Sequence, residues 1–79
     1  MRISLDISLY PLNEDYIAPI KGFIAAVNQT SGLEVSTNSM STQIRGESDI
    51  IFDLLKSEVP KVFEENRAAF IIKAIKGSD

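Results

Sequence analysis

The stretch ISLDISLYPLN, residues 3–13, alternates strictly between apolar and polar side chains. Its apolar positions are Ile3, Leu5, Ile7 and Leu9. Its polar positions are Ser4, Asp6, Ser8 and Tyr10. Because successive side chains of a strand point to opposite faces, this pattern predicts a strand with one face in the core. The other face carries short hydroxyls, a carboxylate and a phenol instead of long charged side chains, so we expect it to have a role beyond contact with water.

The composition of the chain narrows the classes of function. Its 79 residues are enough for one domain, residues 1–79, with a small core. The chain has no cysteine and no histidine. Disulfides, thiolate nucleophiles, the commonest metal ligand and the commonest general base near neutral pH are therefore excluded. We expect a non-enzymatic protein that uses no cofactor and no metal.

The charge balance and the short apolar runs bear on the partners of the chain. Lys and Arg number 8 and Asp and Glu number 11, a formal net charge of −3, which repels a phosphate backbone. The longest uninterrupted apolar runs, FIAAV and AAFII, have five residues each, far below the roughly 20 that span a bilayer. We expect a cytoplasmic protein that binds neither nucleic acid nor membranes.

Helical spacing follows the first strand. Apolar residues recur on one side of a helix at Ile17, Ile20, Phe23, Ile24 and Val27. Pro19 belongs in a first turn, so the helix is expected to begin near Ala18. It should stop before TSG at 30–32, where Gly32 can take the left-handed C-terminal position.

A hairpin follows the first helix. LEVST, residues 33–37, resumes the alternation of a strand. NS at 38–39 predicts a tight turn into a third strand, MSTQIRG at 40–46, which Gly46 breaks. The residues of this third strand that share one face are Met40, Thr42 and Ile44.

A second helix and a last strand complete the chain. Ser48 is expected to cap a helix that runs to about Glu65. Pro60 lies inside that helix and predicts a kink or a break there. RAAFIIKAIK, residues 67–76, predicts a fourth strand, and GSD at 77–79 predicts a frayed end.

The element order βαββαβ predicts an α+β fold, the ferredoxin-like two-layer sandwich. Two right-handed crossovers that share a hairpin give a four-stranded antiparallel sheet in the order 4-1-3-2, with two helices on one face. The expected core residues are Ile3, Leu5, Ile7, Leu9, Phe23, Val27, Ile44, Leu55, Val59 and Phe70. The other face stays open and should carry the polar side of strand 1 with Ser41, Gln43 and Arg45 of strand 3.

The fourth strand is apolar on both of its faces. The residues expected to face the helices are Phe70, Ile72 and Ala74, and those expected to face away are Ala69, Ile71 and Ile75. This strand lies at an edge of the predicted sheet, and an apolar uncovered edge promotes aggregation. We therefore expect a homo-oligomer in which a second copy covers strand 4 and the open sheet face.

Two short motifs resemble a known family. SLYPL at 8–12, with MST at 40–42 leading into RGESD, resembles the small thiamine-binding, YkoF-like family. The resemblance implies ferredoxin-like domains that assemble into dimers or tetramers. It also implies binding of thiamine, or of its hydroxymethylpyrimidine moiety, without chemistry.

The resemblance also implies the site residues. It points to Ser8 and Tyr10 at the end of strand 1 and to Met40, Ser41 and Thr42 at the start of strand 3, and Asp6 is the carboxylate nearby that would favour a thiazolium cation. These motifs converge on one rim because strands 1 and 3 are antiparallel neighbours. The chain departs from the family pattern at Ser41, where the family usually has glycine, and at Pro60.

Each candidate residue has a structural alternative. Ser8 can be a surface hydroxyl, and Tyr10 can pack against a partner subunit. A buried Thr42 hydroxyl needs a partner, which is either a ligand or a backbone carbonyl. Asp6 can pair with Arg45 across strands 1 and 3. The alternative function is a self-associating interaction or regulatory module that has no small-molecule ligand.

Overall fold

The chain folds into the predicted ferredoxin-like sandwich. The computed structural model describes residues 1–77 and contains six elements: β1 (Arg2–Pro11), α1 (Ile17–Asn28), β2 (Glu34–Thr37), β3 (Thr42–Glu47), α2 (Ser48–Glu65) and β4 (Ala68–Lys76). All strand pairs are antiparallel, and the sheet order is β2-β3-β1-β4. This is the predicted order 4-1-3-2 written from the other edge, so the fold prediction is confirmed. In the described part of the chain, no helix is long and apolar enough to cross a membrane.

Strand β1 is the centre of the sheet. It pairs with β3 on one side and with β4 on the other, so that Leu5 lies opposite Ile44 and Ala74. Its apolar residues Ile3, Leu5 and Ile7 are buried, as the alternation of the opening stretch predicts. The small and polar side chains of β1 therefore lie on the face of the sheet away from the core.

The core lies between the sheet and the two helices. Its buried apolar residues are Ile3, Leu5, Ile7, Phe23, Val27, Ile44, Ile51, Leu54 and Val62. Of the other predicted core residues, Leu9, Leu55 and Phe70 are partly buried against this cluster, and Val59 is half-buried. On α2 the sequence pattern missed Leu54, which is buried, whereas the expected core residue Leu55 is partly buried against the cluster.

The apolar surface of α2 is wider than the face that the sheet covers. Apolar residues other than proline occur at eight positions of this helix, so their spacing alone leaves its rotation undetermined. Phe52 and Phe63 fall on the flanks and are half-exposed. Phe63 still contacts Phe70 edge to face, with ring centroids 5.6 Å apart.

Strand β3 begins later than the sequence pattern predicts. The expected start was Met40, but pairing begins at Thr42. The Asn38 side chain accounts for the difference, since its Oδ1 accepts hydrogen bonds from the backbone N–H groups of Met40 at 2.8 Å and Ser41 at 3.0 Å. Asparagine favours such turns because its short amide competes for backbone donors. Residues 38–41 therefore form a turn, which we call the β2–β3 turn.

Gly46 does not break strand β3, which continues to Glu47. Gly46 lies opposite Ile3 in the sheet. A Cβ atom at this position would lie 2.6 Å from the Leu33 side chain and 3.0 Å from the Gly32 carbonyl oxygen. The glycine therefore allows the segment before β2 to approach β3 closely, and it does not end the strand.

The helix ends differ in detail from the predictions. Helix α1 begins at Ile17, next to the expected Ala18, whose N–H donates to the Asp15 carboxylate at 3.4 Å. Ser48 is the first residue of α2 and makes no cap bond with its side chain; its N–H donates to the Met1 carbonyl at 2.8 Å. Helix α2 continues through Pro60 to the predicted end at Glu65. Pro60 is exposed, so water can bond the carbonyl that loses its helical partner.

Two further predictions concern glycine and the end of the chain. Gly32 has the left-handed conformation expected of it, with φ of +87°. It lies in the turn after the helix, however, because Gln29 caps α1. The N–H of Gly77 donates to the Arg2 carbonyl at 2.9 Å, and the remainder of the predicted frayed end, residues 78–79, lies outside the described residues.

Gly22 and Gly46 should respond to alanine in opposite directions. Gly22 lies in the middle of α1 and a Cβ there would have no atom within 4 Å, so Gly22→Ala should raise the free energy of unfolding by about 0.5–1 kcal/mol. Gly46→Ala should lower it by about 1–3 kcal/mol, because Leu33 and the Gly32 carbonyl must move. Urea denaturation of both variants measures the two changes. Equal effects of the two substitutions would contradict the close approach at Gly46.

Candidate functional site

A pocket of about 460 Å³ lies at one rim of the sheet. We call it the rim pocket. It is formed by the end of β1, the start of α1 and the β2–β3 turn. Its lining residues are Ile7, Ser8, Leu9, Tyr10, Pro11, Leu12, Tyr16, Ile20, Phe23, Ile24, Thr37, Asn38, Ser39, Met40, Ser41 and Thr42.

The rim pocket exists because β1 is longer than its pairing with β3. The last β1–β3 pair is Ile7 with Thr42, whereas β1 continues to pair with β4 as far as Pro11. Beyond Ile7, β1 therefore has a neighbour on one side only. The space on its other side, between the end of β1 and the β2–β3 turn, is a notch lined by residues of both sheet faces.

The notch brings together most of the residues that the sequence singled out. Ser8, Tyr10, Met40, Ser41 and Thr42 all line the rim pocket. Ser8 and Thr42 lie on opposite faces of the sheet, yet they share the pocket because it surrounds the end of the β1–β3 ladder. The sixth candidate, Asp6, does not line the pocket. A role of these side chains in binding stays a prediction.

The walls of the rim pocket differ in polarity. Helix α1 and the loop before it contribute an apolar and aromatic wall, formed by Tyr16, Ile20, Phe23 and Ile24. The β2–β3 turn and the end of β1 contribute hydroxyl and amide groups. A flat apolar slot edged by a few hydrogen-bonding groups suits an aromatic heterocycle.

The Thr42 hydroxyl has a partner that the sequence did not indicate. Thr42 is only 5% exposed, and its Oγ1 lies 3.2 Å from Oγ1 of Thr37, the residue opposite it in β2. The partner is therefore a side-chain hydroxyl, which neither alternative considered from the sequence, a ligand or a backbone carbonyl, included. One of the two hydroxyl protons is engaged in this bond, so the pair has a second hydroxyl proton for another acceptor.

Asp6 is hydrogen-bonded to residues other than Arg45, the partner considered from the sequence. Its Oδ1 accepts hydrogen bonds from Ser41 Oγ at 2.6 Å and from Gln43 Nε2 at 2.9 Å. The register places Gln43 opposite Asp6, whereas the Arg45 guanidinium lies 3.8 Å from Glu34. The expected Asp6–Arg45 pair was therefore wrong.

The Asp6 network also includes Gln43, which the sequence pattern does not single out as a site candidate. Gln43 Nε2 lies 2.7 Å from Ser41 Oγ as well as near Asp6, so Ser41, Gln43 and Asp6 form a closed triangle. The sequence pattern predicts only that Gln43 lies on the open face. A polar side chain directly across the strand pair from a carboxylate was the signal that could have identified it. The same contact gives the Ser41 hydroxyl a structural role.

The hydrogen bonds to Asp6 lower the pKa of its carboxyl below the ordinary value of 3.8. The bond from Ser41 has the largest effect, followed by the bond from Gln43; partial burial opposes them, and the positive charge of Lys73 adds a smaller effect in the same direction. Donors to a carboxylate stabilise its charged form. Asp6 is therefore ionised at neutral pH.

A larger cleft of about 620 Å³ lies between α1 and α2. It shares Phe23 with the rim pocket and contains none of the candidate residues. Its carboxylates Glu64 and Glu65 are exposed, and Glu58 is paired with Lys61 at 3.3 Å. In residues 1–77, no group of three acidic side chains is arranged to hold a metal ion. The rim pocket is the better candidate site, because hydroxyl and aromatic groups from separate segments converge there.

The fold and the pocket together define a class of protein: a small ferredoxin-like sandwich with a ligand-sized cavity at one rim of its sheet. The model of a family described as the YKOF-related family matches residues 2–74. The chain belongs to this family, and the resemblance noted in its two motifs is confirmed.

Solved structures show the same fold at low sequence identity. A protein from Streptococcus pneumoniae matches with a TM-score of 0.88 and 22% identity, over 99% of this chain and 89% of that one. A candidate thiamine biosynthesis or salvage protein from Thermotoga maritima matches with a TM-score of 0.84 and 17% identity, over 99% and 86%. A hypothetical protein from Methanocaldococcus jannascii matches with a TM-score of 0.82 and 23% identity, over 99% and 82%. No curated protein sequence matches the chain significantly.

The Asp6 carboxyl should titrate below its ordinary pKa of 3.8, and Ser41→Ala should raise its pKa toward that value, because the largest cause of the shift is lost. A group with a lowered pKa in the folded state stabilises the fold above its unfolded pKa, and this stabilisation is lost as the pH falls through the folded pKa. Carbon NMR of the Asp6 carboxyl from about pH 2 to about pH 6, the range in which most protein aspartates titrate, measures its pKa. A pKa at or above 3.8 in the parent protein would contradict the network.

Proposed function

We propose that this chain is a non-enzymatic binding protein for thiamine or its hydroxymethylpyrimidine moiety, with the rim pocket as the binding site. The observation that carries the proposal is the convergence of Ser8 and Tyr10 with Met40, Ser41 and Thr42 around one cavity. Membership of the YKOF-related family supports it. The description of the Thermotoga maritima neighbour as a candidate thiamine biosynthesis or salvage protein supports it further.

The chemistry of the pocket suits both halves of thiamine. The aminopyrimidine is flat and needs an apolar slot with donors and acceptors at its edges, which the α1 wall and the hydroxyls of Ser8 and Thr42 supply. The thiazolium is a cation, which is favoured by the net charge of −3 and by aromatic faces such as Tyr10 and Tyr16 near the pocket. We assign the pocket to either the whole vitamin or its pyrimidine precursor.

The absence of enzymatic activity is part of the same proposal. The sequence lacks the histidine and cysteine side chains that most often act as bases and nucleophiles. Thiamine should therefore be recovered unchanged after incubation with the protein. The predicted cytoplasmic location, and the expectation that nucleic acid is not a partner, belong to this proposal as well.

Removing single hydroxyls from the rim pocket should weaken binding. Loss of one hydrogen bond to a neutral ligand group costs about 0.5–1.5 kcal/mol, so Ser8→Ala and Thr42→Val should each raise Kd by about 2- to 13-fold. Isothermal titration calorimetry with thiamine and with hydroxymethylpyrimidine measures the change.

Two matched control variants remove a hydroxyl outside the rim pocket. Ser4→Ala lies on the same strand and face as Ser8 but outside the pocket, and Thr30→Val removes a hydroxyl that is bonded to the Ala26 carbonyl. Both should leave Kd unchanged. Unchanged affinity in Ser8→Ala and Thr42→Val would remove these residues from the site, and no binding by the parent protein would refute the proposed function.

Exposed apolar residues on β4 favour a second property, self-association. Ile71 and Ile75 on the open face are 54% and 69% exposed, and Ile72 on the helix side is 41% exposed. The two helices therefore leave the outer edge of β4 uncovered on both faces. We propose that a second copy covers this strand, in a dimer or a tetramer. Without a ligand, this property alone would make the chain an interaction or regulatory module.

Lysine on the open face of β4 should separate the subunits. An Ile71→Lys, Ile75→Lys double variant should sediment as a monomer and unfold more easily, because folding and assembly are linked by mass action. A Ser31→Lys, Ser57→Lys double variant adds the same charge at exposed positions outside β4 and should behave like the parent protein. Sedimentation velocity at high micromolar concentration measures both, and a monomeric parent protein would contradict self-association.

A further inference from the structure

The β2–β3 turn forms one wall of the rim pocket and has hydrogen bonds of its own. Asn38 Oδ1 accepts from the N–H groups of Met40 and Ser41, and the N–H of Asn38 donates to the Ser41 carbonyl at 3.0 Å. These bonds determine the internal shape of the turn. They do not determine its position relative to β1, which forms the opposite side of the notch.

A side-chain contact joins the turn directly to β1. The backbone ladder between β1 and β3 ends at the Ile7–Thr42 pair, before the turn begins. Ser41 belongs to the turn, and its hydroxyl donates to the Asp6 carboxylate on β1 at 2.6 Å. Gln43 Nε2 joins the same carboxylate from β3 at 2.9 Å. The carboxylate therefore connects the turn and two strands at one point.

We propose that Asp6 and Gln43 are positioning residues that hold the β2–β3 turn against β1 and so maintain the wall of the rim pocket. They act on a ligand through Ser41 and the turn and do not touch it. This inference rests on the proposed function of the rim pocket, and it replaces the sequence-based expectation that Asp6 is a ligand contact.

The burial pattern agrees with this assignment. Asp6 is outside the pocket lining, whereas every residue from Thr37 to Thr42 belongs to it. Met40 is 81% exposed, so its side chain has little packing to hold it at the mouth of the pocket. Its location follows from that of the turn, and the turn is held through Ser41.

A carboxylate is well suited to this task. It accepts hydrogen bonds only, and here one of its oxygens accepts from both Ser41 and Gln43, so that one donor comes from the turn and the other from β3. Bonds to a charged acceptor are about twice as strong as neutral ones. Lys73 lies opposite Asp6 in β4, and its positive charge also favours the ionised form of the carboxylate.

The expected effect on affinity follows from the population of the positioned turn. The apparent Kd equals the intrinsic Kd divided by the fraction of molecules in which the wall is formed. If Asp6→Ala leaves the turn in place about one-tenth of the time, affinity falls about tenfold. Gln43→Ala removes one of the two bonds to the carboxylate and should have a smaller effect in the same direction.

The first experiment needs no ligand. Backbone order parameters from NMR should fall at residues 38–41 in Asp6→Ala, from about 0.85 toward values below 0.6. Ser4→Ala, on the same strand and face but outside the network, is the matched control and should leave them unchanged. A turn as rigid in Asp6→Ala as in the parent protein would overturn the inference, whether or not the parent protein binds thiamine.

The second experiment separates positioning from direct contact by comparing two ligands. Thiamine carries a cationic thiazolium, and hydroxymethylpyrimidine is uncharged at neutral pH. A positioning role predicts that Asp6→Ala lowers the affinity for both ligands by the same factor. Asp6→Asn keeps one acceptor for Ser41 and should lower both affinities less. Loss of thiamine affinity alone, with a rigid turn, would make Asp6 a direct charge contact and overturn the positioning role.

The two experiments also distinguish the inference from the function on which it rests. If the parent protein binds neither compound, the proposed function fails, and the order parameters still decide whether Asp6 holds the turn. If the parent protein binds both compounds and Asp6→Ala binds them equally well, the proposed function stands and the positioning role fails.

Discussion

The structure depends on the position of β1 between β3 and β4. Its buried residues Ile3, Leu5 and Ile7 provide one layer of the core, and each is paired across the sheet on both sides. Burial of each large aliphatic side chain contributes about 1.5–3 kcal/mol, a large share of the stability of so small a domain. A slip of one residue would expose all of them and bury Asp6, so the register of β1 is strongly determined.

The same strand creates the candidate site by extending beyond one of its partners. Strand β1 has 10 residues and β3 has six, and the surplus lies at the end where α1 begins. A rim of this kind has hydrogen-bonding groups from both sheet faces and from a turn, without the cost of a cavity in the core. Its geometry then depends on how the turn is attached, which is why a carboxylate outside the pocket matters for the site.

The small size of the domain connects binding and assembly to stability. Two helices cover β1 and β3 better than they cover β4, whose residues from Ile71 onward are exposed. A domain of 79 residues buries a modest fraction of its surface, and association with a second copy is a common supplement. Lys73 and Asp6 lie side by side on the open face, so a subunit that covered β4 would come close to the network that holds the pocket wall.

The sequence by itself determined the element order, the central strand and the face of β1 that enters the core, because these follow from local periodicities of two and 3.6 residues. It also identified two motifs that meet at one rim, since antiparallel neighbours must bring opposite ends together. Tertiary structure decided the rotation of α2 that buries Leu54, the close approach at Gly46 and the choice of Gln43 over Arg45 as the neighbour of Asp6. It also decided that Ser8 and Thr42 share a pocket from opposite faces. Each of these depends on register and packing between segments far apart in the chain, and local patterns carry little information about such contacts.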